Sequence, residues 1–207
     1  MAGRKRLKPR KTPVQGRSIQ TVDAILEGAA QVFARRGYAD ATTNHIAERA
    51  GVSIGSLYQY FPNKDAILVA LLENHIEEGR ELIVRMMSEV QDSDVPPEKI
   101  LRTFIEAMMD LHKENPRLHR VLFEEAPWPR HLHDRLSGIE SLAAQGVEGL
   151  LSGNQNTRTK RPGIAAHIIV HVIESLTHHF VLYSHEEVDR GELMDEMVDM
   201  LSRYLFR

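Results

Sequence analysis

Residues able to carry chemistry concentrate in two parts of this sequence. In the first, counting Thr43 as position one, Ala47 is fifth, Gly51 ninth and Leu57 fifteenth. Two short helices that cross need a small residue where they touch, a glycine with left-handed backbone between them, and an apolar residue beneath the second. Ile46, Val52 and Leu57 supply a small shared core, and Thr43 and Ser53 suit the N-cap positions of the two helices. The second part is a polar stripe in which His167, His171, Glu174 and His178 recur at steps of four, three and four, among Ile164, Ile168, Ile169, Val172, Ile173, Leu176, Phe180 and Val181. A helix apolar nearly all round is expected to be buried, and a buried polar stripe must be hydrogen-bonded, hydrated or in contact with a ligand. Three uses stand open for it: interface histidines, a share of a ligand pocket, or a metal site. His131-x-His133, beside Pro127-Trp128-Pro129, is a further histidine pair with no carboxylate or thiol pattern to complete a metal set. No metal ligand set and no cofactor is assigned.

The elements that position these residues follow from composition and periodicity. The chain has 207 residues, 42% hydrophobic and 27% charged, with no cysteine. This is globular composition, and it excludes disulfides, Cys-ligated zinc, iron–sulfur clusters and thiol nucleophiles. The net charge of −3 conceals a division: residues 1–64 carry +7 and the remainder −10. A basic end suits a polyanion. Residues 1–17 hold Arg4, Lys5, Arg6, Lys8, Arg10, Lys11 and Arg17 without an acid, and with Pro9 and Pro13 they read as a flexible basic arm. No apolar run approaches the ~18 residues of a membrane span. The charged N-terminus lacks the apolar segment of a signal peptide, so the cytoplasm is the expected compartment.

Apolar residues recur at helical spacing throughout, giving an all-α chain of about nine helices. Val22, Ile25, Leu26, Ala29 and Phe33 stripe the first, from Ser18 to Arg36, which Gly37 ends. Short helices are expected at about 44–50 and 54–61, and Pro62-Asn63 precedes a long one at 64–90. Gln91–Pro97 reads as a linker, and further helices follow at about 98–113, 116–125, 130–151, 162–186 and 189–206. Residues 65–207 contain no nucleotide-binding loop, Gly-x-Ser-x-Gly or His-Glu-x-x-His, so no enzyme is expected.

The string Thr42-Thr43-x-x-Ile46-Ala47-x-x-Ala50-Gly51-Val52-Ser53-x-Gly55-Ser56-Leu57-Tyr58-x-Tyr60-Phe61-x-Asn63-Lys64-Asp65 resembles the signature of the tetracycline-repressor (TetR) family of bacterial transcriptional regulators. Ile25-Leu26-x-x-Ala29-x-x-x-Phe33-x-x-x-Gly37-Tyr38 resembles its first helix. The resemblance implies a DNA-binding domain over about 18–78, with its helix-turn-helix at about 42–61, and a helical effector-binding and dimerisation domain over 79–207. It also implies phosphate contacts from Thr43, Ser53, Tyr58, Tyr60 and Lys64, with Gly55 letting backbone N–H groups approach DNA. Base reading would fall to Asn44, Ile54, Ser56 and Gln59, Ile54 reaching only a thymine methyl. The helices at about 162–186 and 189–206 would pair with their copies in a homodimer. A small apolar effector would enter a pocket drawn from Met86, Met87, Phe104, Met108, Met109, Phe123, Trp128, His171 and Glu174, releasing the protein from a double-stranded operator. Two rival readings are a nucleoid-associated or partner-binding DNA protein without an effector, and an all-α metal-dependent enzyme using the histidine stripe.

Overall fold

The computed structural model describes residues 7, 9–10, 16–90, 95–113, 115–126, 128–183 and 188–207. Most of the basic arm and residues 91–94 of the linker lie outside the described residues. Nine α-helices are described: α1 (Gly16–Asp40), α2 (Thr43–Arg49), α3 (Ile54–Tyr60), α4 (Lys64–Val90), α5 (Pro97–Lys113), α6 (Pro116–Arg120), α7 (Arg130–Gly153), α8 (Pro162–Tyr183) and α9 (Arg190–Leu205). The expected helix at 116–125 is α6 followed by a π-helical turn, Val121–Glu125. Among the described residues the only strand-like pairing is one antiparallel bridge between Thr157 and Phe206.

The chain divides into two compact units, Met1–Ile76 with Asn115–His133, and Glu77–Glu114 with Asp134–Arg207. The first division, between Ile76 and Glu77, falls inside α4. Asn115–His133, however, packs with the N-terminal unit instead of the C-terminal one. A long-range contact accounts for part of this: the Tyr38 backbone N–H donates to Glu125 Oε2 at 2.9 Å.

The N-terminal unit is built around Ile25, Ala29 and Phe33 of α1, Ile46 and Ala47 of α2, Leu57 of α3, and Ala66 to Leu72 of α4, nearly all fully buried. Gly37 interrupts α1 with φ 72° and ψ 176°, and Gly51 turns α2 into α3 at φ 67°, a region glycine enters without cost. Gly28 serves differently. A Cβ there would lie 2.9 Å from the backbone N of Ala50 and 3.1 Å from its Cα, so glycine is what allows α1 to seat against the end of α2. The Lys64 ammonium donates to the carbonyls of Tyr38 (2.6 Å), Ala39 (3.1 Å) and Ala41 (3.0 Å) and lies 4.2 Å from the Tyr38 ring centroid. Beside it the Tyr38 hydroxyl donates to the buried Asp65 carboxylate. Asn63 Oδ1 accepts the Ala66 N–H and so caps α4.

The C-terminal unit has an apolar core of Ile105 and Met109 from α5, Leu151 from α7, Ile169 and Ile173 from α8, and Met197, Leu201 and Leu205 from α9. Arg102–Asp195 (2.6 Å) and Arg190–Asp110 (2.7 Å) pair α5 with α9 at the rim. The expectation of no membrane-length apolar run needs correction, because α8, with 22 residues and a hydropathy of 1.3, passes that test by length and composition. Its Ala165, Ala166, Ile169, Val170, Ile173, Thr177 and Val181 are buried within the unit, which is what makes the helix so apolar. The polar stripe is likewise not buried in the single chain: His167 and His171 are exposed, and Ile164 and Ile168 beside them are 52% and 44% exposed. The core occupies one side of α8 only.

Two stability measurements follow. Gly28→Ala should destabilise the protein by about 1–3 kcal/mol in urea unfolding, reversing the gain an exposed mid-helix Gly→Ala normally brings, because backbone must yield; a stabilised variant would contradict the close approach. Burial first, then the hydrogen bond and charge of Asp65, push the Tyr38 hydroxyl up from 10.0 to about 12. Its neutral form is the one stabilised in the fold, so that contribution is complete below pH 10 and lost as pH rises through about 12. Wild-type stability should therefore fall more steeply across that window than that of Tyr38→Phe, and parallel profiles would refute the contact.

Candidate nucleic-acid interface

Side-chain caps set the two helices of the turn. Thr42, not Thr43, is the N-cap of α2: its Oγ1 accepts the His45 N–H at 3.2 Å. Spacing alone could not separate two adjacent threonines of equal capping propensity. The shift frees the Thr43 hydroxyl, which pairs with the Tyr58 hydroxyl at 3.0 Å. Two expected phosphate ligands from different helices thus stand together, with Tyr58 39% exposed. Ser53 caps α3 as expected, its Oγ accepting the Ser56 N–H at 3.0 Å and pairing with Ser56 Oγ at 2.8 Å.

Leu57 anchors α3 inward with no exposure, and Phe61 follows it into the core. The outer face of α3 carries Ile54, Gly55, Tyr58 and Gln59, all exposed, with Asn44 exposed at the start of α2. Ser56 and Tyr60 are half-buried. A Cβ on Gly55 would meet nothing nearer than Ser53 Oγ at 3.8 Å, so packing inside the chain does not demand glycine there. The described part of the arm reaches this region, where the Arg10 N–H donates to the Tyr60 carbonyl at 2.7 Å.

Lys64 departs from expectation. Its ammonium has three donors, and three carbonyls accept them. In this structure it positions α4 against the end of α1 and offers no spare donor to a phosphate. The signal was available only as an unpaired helix end near Gly37, whose partner lies more than twenty residues away in sequence.

The candidate pocket residues divide between the units. Met109 is core, Phe104 and Met108 pack against that core, and Met86 is buried on α4. Met87 lies against Gly146 of α7, where an added Cβ would come 2.8 Å from its Cε. His171 and Glu174 sit on α8, their nearest polar atoms 3.9 Å apart. Phe123 and Trp128 belong to the N-terminal unit, ring centroids 5.3 Å apart, with His119 4.3 Å from Phe123. The His131-x-His133 pair is split: His131 Nε2 meets Glu73 at 3.2 Å, while the His133 ring lies tilted against Trp128.

Two crossed short helices, an exposed polar face on the second and a hydroxyl pair at its flank define a helix-turn-helix DNA-binding protein with a second helical unit. The chain belongs to the tetR family of bacterial regulatory proteins. The family model described as "Bacterial regulatory proteins, tetR family" matches residues 25–71, and that of the "Tetracyclin repressor-like, C-terminal domain" matches 96–205. It is 26% identical over 192 residues to the uncharacterized HTH-type transcriptional regulator YdgC of Bacillus subtilis, covering 91% of this chain and 94% of that protein. The HTH-type transcriptional activator FasR of Mycolicibacterium smegmatis is 32% identical over 100 residues, 48% of this chain and 44% of FasR. The crystal structure of the transcriptional regulator FadR from Bacillus subtilis in complex with stearoyl-CoA superposes with a TM-score of 0.64 at 23% identity, covering 88% of this chain and 98% of FadR, which establishes a shared fold. The chain is a DNA-binding transcriptional regulator.

Gly55 and Gln59 separate the two kinds of contact. Gly55→Ala should leave folding stability within about 1 kcal/mol of wild type yet weaken operator binding. Gln59→Ala should relax preference at one base pair, a change of about 1–3 kcal/mol read from binding to single-base operator variants. A Gly55→Ala protein that binds normally, or a Gln59→Ala protein with uniform loss at every sequence, would overturn these placements.

Proposed function

We propose that this chain is a cytoplasmic homodimeric repressor that a small, mostly apolar molecule releases from its operator. The observation that carries the reading is the surface formed by the outward face of α3 and the start of α2, where Asn44, Ile54, Ser56 and Gln59 would read bases while Thr43, Ser53, Tyr58 and Tyr60 would hold phosphates. Phosphate contacts fix register and carry no base information, so the two sets divide the work.

Dimerisation is supported by apolar side chains left exposed in the single chain: Ile164 and Ile168 on α8, and Met200 (47%) and Tyr204 (42%) on α9. A two-fold pair would present two α3 helices to two half-sites. An effector acts only through unequal affinity for the DNA-binding and non-binding conformations. That a FadR relative is seen with stearoyl-CoA supports screening acyl chains and their thioesters first.

Trp128 is the sole tryptophan, and its Nε1 donates to the Leu122 carbonyl at 2.9 Å, so its emission reports one site. A screen of apolar and amphipathic compounds should yield one that shifts this emission and releases operator DNA from a protein sedimenting as a dimer at micromolar concentration. A monomer under those conditions would refute the pairing. A library that neither moves the emission nor releases DNA would refute the sensor and leave a DNA-binding protein without an effector.

A further inference from the structure

The stripe on α8 meets a residue that the sequence pattern did not supply. Glu140 of α7 faces His171 and Glu174, and one ligand-type atom from each of the three lies within 4.8 Å of the others. The i, i+3 spacing brings His171 and Glu174 together, His171 Nδ1 standing 3.9 Å from Glu174 Oε2. The Glu140 carboxylate thus stands beside that of Glu174, both half-buried. Two carboxylates brought this close repel each other unless a cation offsets their charge, and among the described residues no lysine or arginine pairs with either. We infer that Glu140, His171 and Glu174 form a binding site for one divalent transition-metal ion.

The donor set decides the class of ion. Two carboxylate oxygens with one imidazole nitrogen suit zinc and its first-row neighbours, whereas magnesium and calcium take oxygen alone. Ligand atoms around a tetrahedral zinc lie roughly 3.3 Å apart, so side-chain rotation of little more than an ångström closes the set. A divalent cation between Glu140 and Glu174 would offset the like charge that the two carboxylates bring together. Positions not taken by protein open onto a cleft of ≈ 410 Å³ that His178 and His179 also line, leaving room for water or an exogenous ligand. His178 meets His112 edge to face, with ring centroids 4.3 Å apart. The site uses only side chains of the C-terminal unit and is independent of the operator-binding reading.

The test uses the untagged full-length chain, titrated with cobalt(II) while its visible absorption is followed, then back-titrated with zinc. One cobalt per chain, displaced by zinc, is expected. Glu140→Gln, His171→Gln and Glu174→Gln should each weaken binding roughly tenfold or more, while His133→Gln, in the other histidine pair, should not. Each variant's melting in chelator shows that it is folded, and X-ray absorption of the zinc-loaded wild type should show one imidazole among oxygen donors. Absence of one-to-one binding at sub-millimolar cobalt, full affinity in Glu140→Gln, or a shell of several imidazoles would overturn the assignment.

Discussion

Three carbonyl oxygens around the end of α1, those of Tyr38, Ala39 and Ala41, converge on the single ammonium of Lys64, and the DNA-reading head depends on that convergence. A helix that breaks at a glycine leaves carbonyls without intrahelical partners. Here a cation from the first turn of α4 satisfies them, at the end where the helix dipole favours positive charge. Hydrogen bonds to a charged group are worth about 1.5–3 kcal/mol each, several times a surface ion pair. Tyr38, stacked on Phe33 with ring centroids 6.4 Å apart and bonded to Asp65, extends the lock into the core. Polar groups therefore fix where α4 starts, and Phe61 and Leu57 just before it fix α3.

The division of labour in the head follows. Inward contacts of α2 and α3 are apolar and small, so two short helices hold firm without using their outer faces. The outer face is left with groups that have little to do inside the chain: Gln59, Asn44, the Thr43–Tyr58 hydroxyl pair and an uncrowded Gly55. The C-terminal unit is organised the opposite way. Its interior is an apolar cluster of α5, α8 and α9, and its polar interest lies on the outward side of α8 and at Glu140.

Much of this was legible because it is local. Helix periodicity, the Gly51 turn, the Ser53 cap and the exposed face of α3 depend on spacings of a few residues. What was not legible depends on distant pairs. Gly28 looks like an ordinary helix glycine until Ala50 is placed against it. Lys64 looks like a phosphate ligand until the carbonyls beyond Gly37 claim it, and residues 115–133 join the head through contacts such as that of Glu125 with Tyr38. The histidine stripe was found by periodicity but assigned to a buried face, since hydropathy says that a helix is apolar and not how much of its circumference one chain covers. Glu140 had no signal at all, lying thirty-one residues before His171.

The central claim, that the outer face of α3 reads a defined DNA sequence as one half of a symmetric pair, is tested most directly by footprinting. Hydroxyl-radical cleavage of the promoter DNA flanking the chain's own gene, with full-length protein at physiological salt, should show protection at one discrete site. The protected segments should be related by two-fold symmetry and separated by whole helical turns, on one face of the duplex. Protection spread evenly along the fragment and abolished by modest salt would instead mark binding to backbone charge alone, and would contradict the account.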